Sequence, residues 1–395
     1  MRTEYTVATA RLNLAHVRWS AHMQFRTLCT LILTASVMAT AVGAPPAQFV
    51  VHEWGTITTV HDAQGAPATG LNRIEAADEL PEFVHRYEPE STRHDPTRAL
   101  RKSSLVPGRP DVTMRLETPV IYFHPPADVA FKDPIDVFVR FRGGVINEFY
   151  PDAEASVLVD VERVVDKLDS GILTHWDGNV LNNYVVGELR WKGLRLHDTV
   201  VAPLTKNPAR MAPREVQSAR VFSAEAGEGE QYLFYRGVAH LPALLQTRTG
   251  AGQVTILAPK TLNWFEFGSV KLPDVWLADV RADGTLAFRE HGAVTLEKDR
   301  AGAELGRIRR FSGSNYSAAA VTELRATLKR ALIRQGLYAD EAESMLETWK
   351  ASYFQKPGLR VFYIVPREWV EYFLPLKLSV PARIERVIVG RIDLR

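Results

Sequence analysis

Between Phe49 and about Glu297, short runs of β-branched and aromatic residues alternate with polar turn dipeptides. The runs are Phe49–Val60, Val120–His124, Ile135–Arg142, Val145–Tyr150, Glu188–Leu196, Gln231–Val238, Gln253–Leu257, Trp264–Phe267, Val275–Val280 and Thr285–Glu290. Such residues fit a pleated, half-buried surface, so each run predicts a strand. Two hairpins are expected. Asp283-Gly284 separates Val275–Ala282 from Thr285–His291, and Gly143-Gly144 separates Ile135–Arg142 from Val145–Tyr150, both with turn residues that tolerate positive φ. Many short strands with polar turns predict a mainly β fold, with one or two antiparallel β-sandwiches across 45–305. The stretch 71–110 breaks the alternation with prolines and mixed charge, and reads as an irregular excursion. Ala202 to Arg214 reads as a second exposed connection.

The pattern changes after Phe311. Val321, Leu324, Leu328 and Leu332 fall on one helical face, with Gly336 placed to end the helix. A second helix is expected from Asp340, with Glu343 three residues on in the manner of a capping box. Its apolar stripe is Ala342, Met345, Leu346, Trp349 and Tyr353, and Lys356-Pro357-Gly358 stops it. Leu359–Val365 predicts a buried strand and Ile384–Leu394 the last one. The segment 311–395 is therefore expected to be mixed α/β. No internal repeat is visible.

One stretch, Leu28 to Val42, is apolar enough to concern a membrane, yet too short to span one. Arg26 precedes it and Val42-Gly43-Ala44 follows, so 1–44 reads as a secretory signal peptide, with 1–22 an extended leader or an upstream mis-start before Met23. Cys29 is the single cysteine of the 395 residues and would leave with that leader, which removes thiol chemistry and thiolate metal sites from the processed chain. A secreted or periplasmic protein follows, with no transmembrane segment after the leader. The 48 basic residues nearly balance the 46 acidic ones, which argues against a nucleic-acid partner.

No His-Glu-x-x-His, Gly-x-Ser-x-Gly, Walker or Cys-x-x-Cys motif is present, and no cofactor is indicated. Individual polar groups carry what chemistry can be read. In a regular first strand His52, Trp54, Thr56 and Thr58 face one side and Glu53 the other, so His52 and Glu53 cannot share one small ion without a bulge at Gly55. Glu53 is either an acid–base group in an apolar setting or a buried carboxylate bonded to an Arg. Glu117 opens a strand that ends at His124 before Pro125-Pro126, where a ligand role competes with a surface one. Glu148 is expected on an apolar face across from Val139, paired with an Arg such as Arg236 or joined with Glu53 in a site. His175 and Asp177 sit in a turn-like His-Trp-Asp-Gly-Asn. The candidate catalytic acids are thus Glu53, Glu117 and Glu148, and the candidate metal ligands His52, His124, His175 and Asp177. Trp54, Trp176, Trp191, Trp264 and Trp276 either pack the core or stack on sugars.

His52-Glu53-Trp54-Gly55-Thr56, Leu359–Trp369, Glu117–Phe123 and Leu233–Gly237 together resemble a group of secreted bacterial proteins with a His-Glu-Trp-Gly-Thr element near the mature N-terminus. Ile57 and Thr58 follow where that group has an aromatic. The resemblance implies export and a shared architecture, and brings no established activity or residue role.

Two readings compete. In one, the chain is a non-catalytic exported protein that binds or scaffolds an extracellular polymer or an envelope protein. In the other it is a hydrolase, metal-assisted or a carboxylate glycosidase, built on the acids and histidines of the N-terminal half.

Overall fold

The computed structural model describes residues 48–72, 80–87, 110–126, 133–159, 181–182, 184–197, 199–260 and 269–395. The expected leader 1–44, most of the excursion 71–110, the strand Trp264–Phe267, and His175, Trp176 and Asp177 lie outside them.

The fold is mainly β, as the alternation predicts. Eleven strands carry the argument: β1 (Val50–His61), β2 (Met114–His124), β3 (Ile135–Arg142), β4 (Gly144–Tyr150), β5 (Val185–His197), β6 (Leu233–Ala239), β7 (Val275–Val280), β8 (Leu286–Glu290), β9 (Gly358–Ile364), β10 (Leu376–Leu378) and β11 (Arg383–Leu394). They run in the order β8-β7-β9-β11-β1-β2-β6-β4-β5-β3-β10 within one 15-stranded sheet, alongside a three-stranded and a two-stranded sheet. This differs from the expected purely antiparallel sandwich. β1 pairs with β11 in parallel over its whole length, so the two ends of the described chain meet at the middle of the sheet.

Each face of the central strands has its own core. On one side Trp54, Val120, Phe234, Trp276, Phe362 and Val387 pack under two helices, α1 (Ala319–Arg334) and α2 (Ala339–Thr348). Leu324, Leu328 and Leu332 form the buried stripe of α1, as its periodicity requires. Gly336, at φ +116°, closes the helix: its N–H donates to Ile333 O and that of Leu337 to Leu332 O, the two bonds of a Schellman cap. On the other side Val51, Ile57, Ile121, Val361 and Ile388 join the two small sheets and a short helix, α3 (Arg367–Phe373). Among the described residues no helix is long and apolar enough to cross a membrane.

One expected hairpin forms. β7 and β8 pair antiparallel, and the turn is a three-residue Ala282-Asp283-Gly284 loop, with Arg281 N–H donating to Thr285 O and Gly284 at φ +82°. The other does not. β3 and β4 do not pair with each other, because β5 lies between them and pairs with both. Gly143-Gly144 acts as a sharp bend there: a Cβ at Gly143 would lie 2.4 Å from Leu241, and one at Gly144 2.7 Å from Val238 O. Glu148 therefore does not face Val139.

β1 ends on His61, buried, with Nδ1 3.0 Å from Thr247 Oγ1. Burial lowers its pKa to about 4, against a smaller opposing effect of Asp62. Its proton is held more weakly folded than unfolded, so folding loses stability as pH falls from about 6.5 to about 4, by roughly 3 kcal/mol in total. His61→Gln should flatten this part of the pH profile. Urea midpoints of the two proteins at pH 7 and pH 4 measure the difference.

Candidate functional site

Every residue of β1 is buried, so each polar side chain on it must find a partner inside the protein. On the helical face His52 meets α2. Its Nδ1 lies 2.6 Å from Glu341 Oε2, and His124 Nε2, from the end of β2, lies 2.8 Å from Glu341 Oε1. His52 and Glu341 are wholly buried, while the His124 side chain is 12% exposed. The Tyr338 ring packs against both imidazoles, its centroid 4.5 Å from that of His52 and 4.8 Å from that of His124. Ligand-capable atoms of these three residues all lie within 4.8 Å of one another.

Glu341 is also the third residue of α2, and its Oε2 accepts the Tyr338 N–H at 2.7 Å. This corrects the expected cap: Glu343 instead lies on the exposed face, bonded to Arg325 and Lys329. Burial alone would raise the Glu341 pKa. The bonds from His124 and His52, the charge of His52 and the Tyr338 N–H outweigh it and hold the carboxyl at about 2. An ionised carboxylate only accepts, so each facing imidazole nitrogen carries the proton in the metal-free protein. His52 Nε2, Trp54 Nε1 and Ser344 Oγ are buried without a hydrogen-bond partner among the described residues.

The structure thus joins two of the four expected metal ligands, His52 and His124, and adds Glu341, which sequence reasoning missed. A signal for it existed. Glu341 is four residues before Met345 and eight before Trp349, inside the apolar stripe, whereas Glu343 and Glu347 fall off it.

The three candidate acids do not converge. Glu53 points to the other face, where Arg386 of the neighbouring β11 pairs with its Oε2 and Tyr235 donates to its Oε1 at 2.6 Å. Arg386 also donates to Leu374 O at the end of α3, so Glu53 anchors the helix that packs there. Glu117 accepts from Thr58 Oγ1 at 2.7 Å and pairs with Arg115, with Arg391 at 3.8 Å. Burial would raise its pKa, but Arg115, Arg391 and the Thr58 hydroxyl hold it below the usual carboxylate range. Glu148 sits 3.4 Å from Arg236 and 3.5 Å from Arg86. Each acid is matched to a guanidinium, so its oxygens are already committed to a structural partner. Trp54, Trp191 and Trp276 are buried core residues, so they present no platform for a sugar.

No family model and no curated protein matches the chain. Among solved structures, the Fcho1 mu-homology domain from Danio rerio with bound Eps15 peptide gives a TM-score of 0.27 at 8% identity, covering 88% of this chain and 95% of that one. The yeast delta-COP-I mu-homology domain gives 0.24 at 8% identity, over 88% and 96%. TM-scores this low establish neither a shared fold nor a shared function.

Removing the Glu53 charge leaves Arg386 buried and uncompensated. Glu53→Gln should cost about 3–5 kcal/mol, measured by urea denaturation at neutral pH.

Proposed function

We propose that this chain is an exported, non-catalytic protein that binds a divalent transition-metal ion between His52, His124 and Glu341. The carrying observation is the convergence of two imidazoles and one carboxylate from β1, β2 and the first turn of α2 in one buried place. Two nitrogens and one carboxylate oxygen form the donor set that suits zinc and its neighbours in the transition series. Tetrahedral metal–ligand bonds of about 2.0–2.2 Å place donor atoms about 3.3–3.6 Å apart, so the present 2.6 and 2.8 Å contacts have to open, and donor atoms as far as 4.8 Å apart to close, by about an ångström or less. The ion would replace the two protons that the imidazoles now point at Glu341. Tyr338, packed on both rings, keeps them aimed at the one carboxylate.

Burial favours binding over hydrolysis. A catalytic ion needs a coordination position that substrate can reach, and here His52 and Glu341 are sealed. The guanidinium-paired Glu53, Glu117 and Glu148 support the same choice. Export is carried by the leader-like character of 1–44 and by the resemblance to secreted bacterial proteins.

Metal analysis of the purified protein should give stoichiometric zinc, or stoichiometric cobalt after exchange with a tetrahedral visible spectrum. His124→Ala and Glu341→Gln should each lose the metal and the spectrum. A wild-type protein that takes up neither ion would overturn the reading.

A further inference from the structure

The residues around Glu341 differ in their contact with water. His52 and Glu341 are sealed and the His124 side chain barely reaches the surface, whereas Tyr338 is 42% exposed. The sheet lies beneath the ligands and α2 above them. Tyr122, across from His52 on β2, is closed off by the segment 212–217: Pro213 O accepts the Tyr122 hydroxyl at 3.0 Å, and Gln217 N–H donates to Asp340 at 2.9 Å. The side that faces solvent belongs to Tyr338. Its ring packs on both imidazoles, whose own centroids are 5.1 Å apart, so the three rings form one cluster with Tyr338 outermost. The backbone of Tyr338 is fixed. Leu337 before it is buried, Glu341 Oε2 accepts its N–H, and its C=O accepts the Ala342 N–H at 3.0 Å. What can turn is the side chain, and part-exposed side chains change rotamer far faster than helices or loops move.

We propose that the Tyr338 ring is the gate of the metal site: it swings aside to admit a divalent ion to His124, the one ligand that touches water, and then closes over all three ligands. This rests on the metal reading given above and adds how the ion enters and leaves. A ring packed on two ligands keeps out the water that has to replace them before an ion can depart, because the apolar shell of a metal site sets its access to solvent. Gating differs from positioning in what it changes. A cover that is not itself a ligand belongs to the barrier shared by entry and exit, so removing it speeds both equally and leaves the affinity as it was. A residue that merely positioned the ligands would alter the affinity, and release alone would speed up.

Stopped-flow spectroscopy with cobalt(II) tests it, following uptake by the metal-free protein and release from the loaded protein into excess EDTA. Tyr338→Ala should speed uptake and release alike by about tenfold or more, the weight of two ring contacts in a barrier. Its cobalt spectrum and its affinity should match those of the wild type. Tyr338→Phe keeps the ring and should exchange the ion at the wild-type rate. Tyr338→Leu, a smaller change, should speed both steps to a lesser degree and carries the test if Tyr338→Ala does not fold. Wild-type protein that takes up no cobalt removes the metal reading and the gate together. Wild-type protein that binds cobalt, with folded variants that exchange it no faster or that speed release alone, overturns the gate and leaves the metal reading standing.

Discussion

A strand with neighbours on both edges and packed layers on both faces offers its side chains no water. β1 is such a strand, and its sequence is only half apolar. Five of its polar residues have drawn partners from different parts of the chain: His52 from α2, Glu53 from β6 and β11, Thr56 from Tyr353, Thr58 from β2, His61 from the three-stranded sheet. Leaving any of these groups unmatched costs more than the bond itself returns. The polar residues of one strand thereby fix where the helices, the last strand and a small sheet must sit. The apolar residues between them, Val51, Trp54 and Ile57, supply the driving force on the two faces.

The partner type decides what each buried carboxylate can do. A guanidinium stays protonated throughout the working range of a protein, so the ion pairs of Glu53, Glu117 and Glu148 hold structure together. An imidazole gives up its proton near neutrality and then offers a lone pair. Glu341, held by two of them, is the carboxylate on which the proposed metal site rests.

Much of this was legible in the residues. The strands Phe49–Val60, Val275–Val280 and Leu359–Val365 lie within a residue or two of their observed bounds, because β-branched runs have few alternatives once buried. Alternation correctly separated His52 from Glu53. The stripe through Met345, Leu346, Trp349 and Tyr353 is buried as read. What failed was long-range. Gly143-Gly144 resembles a hairpin turn locally, and only the insertion of β5, more than 40 residues later, shows that it is a bend. Glu341 is hard to single out, because an acid in a helix's first turn is ordinarily solvated, and only its place within the apolar stripe marks it as buried. His124 was readable as a strand-end group. That it meets His52 depends on the antiparallel register of β1 with β2, which no local pattern states.

The pairing of β1 with β11 has a bearing on biogenesis. Val50 matches Arg383 and His61 matches Leu394, so β1 waits for residues 333 positions further along before its second edge is covered. A ribosome that delivers the chain from its N-terminus holds back that closing piece until β11 has been made. Until then β1 offers a long row of unpaired backbone N–H and C=O groups to whatever other strand arrives first. Assembly is forced to be late and concerted, and a polypeptide stopped short of Arg383 keeps an open seam along the centre of its largest sheet.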